Sequence, residues 1–158
     1  MPLISDEMRA YVGSEGEPWT LEVSRSGVRM FARATGQVDP VYYDVAAARA
    51  AGYRDLPAPP GFFGASVFPA GVTDPMYARD AKAPLPSPPL TRGLAGGVEY
   101  EYFADVCAGD VLTCSIQVTG YEERASSLGP TLLMKTTWTF RNERGELVAH
   151  RLNTRIQY

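Results

Sequence analysis

Residues 37–44 hold an amide, two carboxylates and two phenols: Gln37, Asp39, Tyr42, Tyr43 and Asp44. Gly36 and Pro40 place turns in the same stretch. A carboxylate and a phenol held together can serve as base and acid in a proton transfer, provided burial tunes their pKa values toward neutrality. Asp39 as base, with Tyr42 or Tyr43 as acid, is the pairing that this spacing offers. The same residues also have structural uses. Asp before Pro favours turn initiation, and a packed tyrosine hydrogen-bonds its hydroxyl. Without tuning, glutamine is no base and a tyrosine titrates near ~10.

Other chemistries lack their residues. There is no Gly-x-Ser-x-Gly elbow, no Gly-x-Gly-x-x-Gly after a strand, and no phosphate loop ending in Gly-Lys-Ser/Thr. The one histidine, His150, falls on the strand face that carries Val148 and Leu152, so it reads as a structural histidine with a satisfied hydrogen bond. Cys107 and Cys114 lie far in sequence from His150 and make no zinc set; reduced, partly buried thiols are expected. The net charge of −3 argues against electrostatic capture of nucleic acid. No apolar run reaches the ~20 residues that cross a bilayer, and no secretory signal is visible. The expectation is a cytoplasmic protein with no metal, no cofactor, no nucleic-acid partner and no membrane partner.

The elements around the loop follow from pattern. The 158 residues, 45% hydrophobic, suit one domain spanning 1–158. Ser5 caps a short helix through Tyr11, and residues 19–23 alternate as a strand. Ser24 or Ser26 caps a second helix, whose Val28, Phe31, Ala32 and Thr35 follow i, i+3, i+4, i+7 spacing. Asp44 caps a third over 45–51, stopped by Gly52. Pro59 and Pro60 open an uncharged helix over 61–68, which its lack of a polar face predicts to be buried. Residues 70–92, rich in proline, form a long connection. Four strands then alternate in period two, with one wet and one buried face expected for each. Their apolar rows are Val98, Tyr100, Tyr102; Leu112, Cys114, Ile116, Val118; Leu132, Met134, Trp138, Phe140; and Val148, Leu152, Ile156. Helices first and strands after give an α+β domain around one core.

The run from Phe31 to Asp44, with Ala50-Ala51-Gly52-Tyr53 and Ala58-Pro59-Pro60-Gly61-Phe62, resembles the MaoC-like dehydratases. It is most similar to their N-terminal-type domain, the half related to the non-catalytic subunit of two-part 3-hydroxyacyl-thioester dehydratases. Gly96 to Tyr102, Ala108 to Thr113 and Gly145 to Ala149 resemble that family's strand signatures. The resemblance implies a hotdog fold, an antiparallel sheet wrapped around a central helix, here residues 61–68. It implies an acyl thioester of coenzyme A or acyl carrier protein as ligand, and a second hotdog subunit beside this one. Active members interconvert (3R)-hydroxyacyl and trans-2-enoyl thioesters with an aspartate and a histidine in the pattern Gly-Asp-x-Asn-Pro-x-His. Here Gln37 stands at the aspartate, Asp39 at the asparagine and Tyr42 at the histidine. The resemblance places Gln37, Tyr43, Gly61 and Phe62 against substrate, with the Gly61 N–H at a helix start as donor to the enolate oxygen. An acyl-binding subunit that needs a catalytic partner is expected. The alternatives are a self-sufficient homodimeric hydratase using Asp39 and Tyr42, or a hotdog module that only binds acyl chains. Hydrolysis is disfavoured because residues 61–68 carry no acidic side chain. Arg79, Lys82 and Arg92 are candidates to meet the phosphates of coenzyme A.

Overall fold

Short polar side chains start the helices, as their positions predict. The computed structural model describes residues 2–71, 90–127 and 129–158. Helix α1 is Asp6–Tyr11, and the Ser5 hydroxyl accepts from the Met8 N–H. Strand β1 is Trp19–Glu22. Helix α2 is Arg25–Ala34, and of the two candidate serines Ser24 caps it, accepting from the Gly27 N–H. A 3-10 turn, Pro40–Tyr42, leads to helix α3, Val45–Ala50, where Asp44 accepts from the N–H groups of Ala46 and Ala47. A cap of this kind is worth ~1 kcal/mol.

Five strand pairings, all antiparallel, build one six-stranded sheet. Besides β1 it contains β2 (Ala65–Ser66), β3 (Gly93–Tyr102), β4 (Val111–Ser126), β5 (Gly129–Asn142) and β6 (Leu147–Gln157), in the order β2-β1-β4-β5-β6-β3. Val28 of α2 and Ala48 of α3 join Leu21, Leu112, Cys114, Phe140 and Ala149 in one buried cluster. Among the described residues, no helix is long and apolar enough to cross a membrane.

Residues 61–68 are not a helix. Gly61 and Gly64 take φ of +90° and +100°, the left-handed region, and Ala65–Ser66 pairs with Leu21–Glu22 as a strand. A short uncharged apolar run fits a buried helix and a strand equally well, and here strand pairing wins. Close approach decides it. A Cβ on Gly64 would lie 2.6 Å from the Glu22 carbonyl oxygen. The helix packed into the core is therefore α2, with Val28 fully buried.

Two strand faces also differ from expectation. All ten residues of β3 are exposed, because β3 is an edge strand, and Val98, Tyr100 and Tyr102 are only half covered. In β6 the row of Val148, Leu152 and Ile156 is not the core row. A register shift beside Phe140 buries both Val148 and Ala149, while Leu152 is 41% exposed. The register sets Ala149 beside Phe140 and Arg151 beside Trp138. The Arg151 guanidinium lies 4.5 Å from the Trp138 ring centroid, and Trp19 meets that ring edge-on at 5.6 Å. The expected connection over 70–92 falls largely outside the described residues, as do Arg79 and Lys82. Arg92 is exposed, and its backbone pairs with Tyr158.

Gly64→Ala tests the strand pairing. The clash with backbone, added to left-handed strain, should cost more than about 2 kcal/mol. Gly13→Ala, at φ +89° with open space around it, should cost about 1 kcal/mol. Urea unfolding reads both, and equal losses would remove the Glu22 contact as the cause.

Candidate functional site

The loop after α2 holds itself in place with the polar groups that looked catalytic. Gly36, at φ +72°, ends the helix, and the Gln37 N–H donates to the Ala32 carbonyl at 2.9 Å. The Tyr43 hydroxyl donates to the Gln37 carbonyl at 2.6 Å, bracing the loop across its width. Arg29 on α2 donates from Nε to the Tyr43 carbonyl. Asp39 is exposed, and its Oδ1 accepts from the Val41 N–H at 3.0 Å as the cap of the 3-10 turn. The side chains of Asp39 and Tyr43, like that of the α3 cap Asp44, thus have structural occupations, and Gln37 takes part through its backbone.

Tyr42 is the exception. It lines a cavity of about 500 Å³ with Tyr53, Pro57, Ala58, Pro60, Tyr102, Phe103 and Asp105 among the walls. Burial raises the Tyr42 pKa, and the neighbouring Tyr53 and Asp39 add to the shift. The phenol therefore stays protonated at neutral pH, with a proton to donate in a hydrogen bond. Burial also raises the Tyr102 pKa, against the opposing effect of a hydrogen bond from Gly61.

Gly61 is not at a helix start. Its N–H donates to the Tyr102 hydroxyl at 2.7 Å, so that phenol occupies the place foreseen for a substrate oxygen. Phe62 turns away from the cavity. Its ring packs beside Gly27 and lies 5.2 Å from the Phe31 ring on α2. Phe63 goes into the core and stacks on Phe140 at 3.9 Å. Among the residues proposed from sequence, Tyr42 lines the cavity, Gly61 reaches its wall through Tyr102, and Asp39 acts on Tyr42 electrostatically. Gln37, Tyr43 and Phe62 are not among its lining residues.

Sequence reasoning missed Tyr53, Tyr102, Phe103 and Asp105. Tyr102 was legible only as part of an alternating row, and nothing in its spacing says that the row lies open. His150 is a structural neighbour of this region. Its Nδ1 lies 3.7 Å from the Glu101 carboxylate, and its ring meets Phe103 edge-on. Cys107 and Cys114 are buried thiols, and burial pushes the Cys107 pKa up.

The cavity wall is clamped to α2. Arg25 grips Asp55 with two hydrogen bonds, of 2.9 and 2.7 Å, and Asp55 also accepts from the Leu56 N–H. The chain then zips onto residues 106–108: the Ala58 N–H donates to the Val106 carbonyl, and the Ala108 N–H to the Leu56 carbonyl. Pro57, Ala58 and Val106 of this zipper face the cavity.

The curled antiparallel sheet with α2 against it defines a hotdog domain. The chain belongs to the family described as the FAS1-like dehydratase domain region, whose model matches residues 10–151. A UPF0336 protein of Streptomyces griseus is 35% identical over 144 residues, covering 89% of this chain and 87% of that protein. In the (3R)-hydroxyacyl-ACP dehydratase complex HadBC from Mycobacterium tuberculosis, a chain superposes with a TM-score of 0.71 at 22% identity, over 98% of this chain and 99% of that one. A MaoC-like dehydratase superposes with a TM-score of 0.72 at 25% identity, over 95% of this chain and 43% of its own length. The MaoC-like resemblance read from residues 31–62 holds.

The Arg25–Asp55 clamp sets an acid limit. Its hydrogen bonds hold the Asp55 pKa at about 2, below the ordinary 3.8. The folded pKa is depressed, so the stabilisation is complete above about pH 4 and lost as pH falls toward about 2. Asp55→Asn should remove this component of acid unfolding. A circular-dichroism titration that is identical for both proteins between those pH values would eliminate the clamp as its origin.

Proposed function

We propose that this chain is the acyl-thioester-holding subunit of a (3R)-hydroxyacyl-thioester dehydratase, or enoyl hydratase, completed by a second hotdog subunit. The supporting observation is the state of the loop. Protonated Tyr42 stands where the resemblance puts a histidine, and Asp39 is an exposed cap. Hydration of an enoyl thioester needs a base to deprotonate water and an acid to protonate the α-carbon. In this reading both come from the partner. The chain contributes walls of proline and aromatic rings, which exclude water, and a phenol that donates a hydrogen bond to a thioester carbonyl. The acyl carrier is coenzyme A or acyl carrier protein, since the cavity chemistry concerns only the thioester and acyl group.

A second reading is favoured by one observation. Asp105 brings a carboxylate to the wall of the cavity that Tyr42 also lines, and a self-sufficient enzyme would draw its carboxylate and phenol from that wall. Purified chain should bind a long acyl-coenzyme A by calorimetry, and Tyr42→Phe should weaken binding about five-fold, the loss of one hydrogen bond. It should leave 2-enoyl-coenzyme A hydration at the uncatalysed rate. Hydration by the chain alone that disappears in Asp105→Asn or Asp39→Asn would transfer the assignment to the self-sufficient enzyme.

A further inference from the structure

Tyr102 stands between a backbone donor and the cavity. The Gly61 N–H donates to its hydroxyl oxygen at 2.7 Å, and the residue lines the cavity that Tyr42 also lines. Its ring is fixed as well. It lies 5.7 Å from the Phe63 ring, nearly parallel to it, and Phe63 in turn stacks on Phe140 in the core. The oxygen is thus held by an amide and the ring by a stack. The proton is uncommitted: neither the Tyr102 nor the Tyr42 hydroxyl donates to an acceptor among the described residues.

Hydration of an enoyl thioester puts charge on one atom. As the oxygen of water bonds to the β-carbon, the electron pair of the double bond moves toward the thioester oxygen. The pair then returns to take a proton at the α-carbon. Donors fixed in advance at that oxygen lower the barrier. A bare backbone N–H would serve, but the Gly61 N–H is already covered by the phenol. A phenol that accepts from an amide donates its own proton more strongly, because hydrogen bonds in a chain polarise one another. No lysine, arginine or histidine is among the described residues lining the cavity, so its side-chain donors are phenols. We infer that Tyr102 is a catalytic residue of the complete enzyme. Backed by the Gly61 N–H, it donates to the thioester oxygen beside Tyr42 and relays the polarisation that the amide would otherwise supply directly. The inference rests on the proposed acyl-thioester function and adds the second donor to the reacting carbonyl.

Infrared spectroscopy of a trans-2-enoyl-coenzyme A, isotope-labelled at its thioester carbonyl, reads hydrogen bonding to that oxygen. The carbonyl stretch should fall when the intact native chain binds the probe. Tyr102→Phe keeps the ring and its stack. It should return part of that shift and weaken binding about five-fold, the loss of one hydrogen bond. Tyr42→Phe/Tyr102→Phe should return nearly all of it. Tyr100→Phe is the control, since the Tyr100 hydroxyl also lies beside Gly61, 3.4 Å from where a Cβ would stand, yet Tyr100 is not among the lining residues. It should leave stretch and affinity at their native values. Fluorotyrosine at position 102 separates donating from accepting, because fluorine makes the hydroxyl a stronger donor and a weaker acceptor. At about pH 6, where the phenol keeps its proton, the stretch should fall further and binding should tighten. Circular dichroism checks that each variant folds. Native stretch and affinity in Tyr102→Phe overturn the inference, as does tighter binding through a freed Gly61 N–H, and both leave the proposed function standing. A native chain that binds no acyl-coenzyme A removes the proposed function, and this inference with it.

Discussion

Gly64 sits against the Glu22 carbonyl with no room for a side chain between them, and this contact sets the path of the whole segment around it. The chain leaves helical conformation at Gly61 and Gly64 and pairs with β1 through Ala65–Ser66. Two consecutive aromatic rings then part company. Phe63 stacks on Phe140 in the core, and Phe62 packs on α2 beside Gly27. The Gly61 N–H reaches Tyr102 on β3. One backbone contact thereby joins the core, the long helix and the edge strand, and the cavity lies beside that junction.

The opening loop illustrates how little residue type says about role. A carboxylate that caps a turn accepts from a backbone N–H and is committed to that turn. Asp39 is such a group. A phenol whose hydroxyl bridges its own loop, as Tyr43 does to the Gln37 carbonyl, is committed to shape. Tyr42 alone faces the cavity, and burial there strengthens its hold on its proton. The same desolvation that makes a site suitable for an acyl chain makes a phenol a poor base.

The sheet is asymmetric in its edges. One ends in a stub, while the other is a ten-residue strand with no partner strand on its outer side among the described residues and with half-covered tyrosines whose rings also touch the Phe63 stack. Tyr102 therefore belongs at once to the core packing, to the cavity wall and to the exposed edge, and Tyr100 to the first and the last of these. Whatever pairs with that edge acts on the cavity through side chains already in contact with it.

Local rules determined much of this protein in sequence. Ser5, Ser24 and Asp44 cap the helices they precede, and period-two alternation marked the long strands, because caps and pleats depend on near neighbours. The motif pattern around residues 31–62 carried the family. The tertiary structure alone decided the conformation of residues 61–68, since an apolar run with two glycines suits helix and strand alike until another backbone approaches it. It decided which face of β6 is inward, through a register shift that moves Ala149 under the core. It also decided that the alternating row of β3 lies open rather than buried. Alternation records that a strand has two unlike faces, and only the order of strands in the sheet determines whether anything covers them.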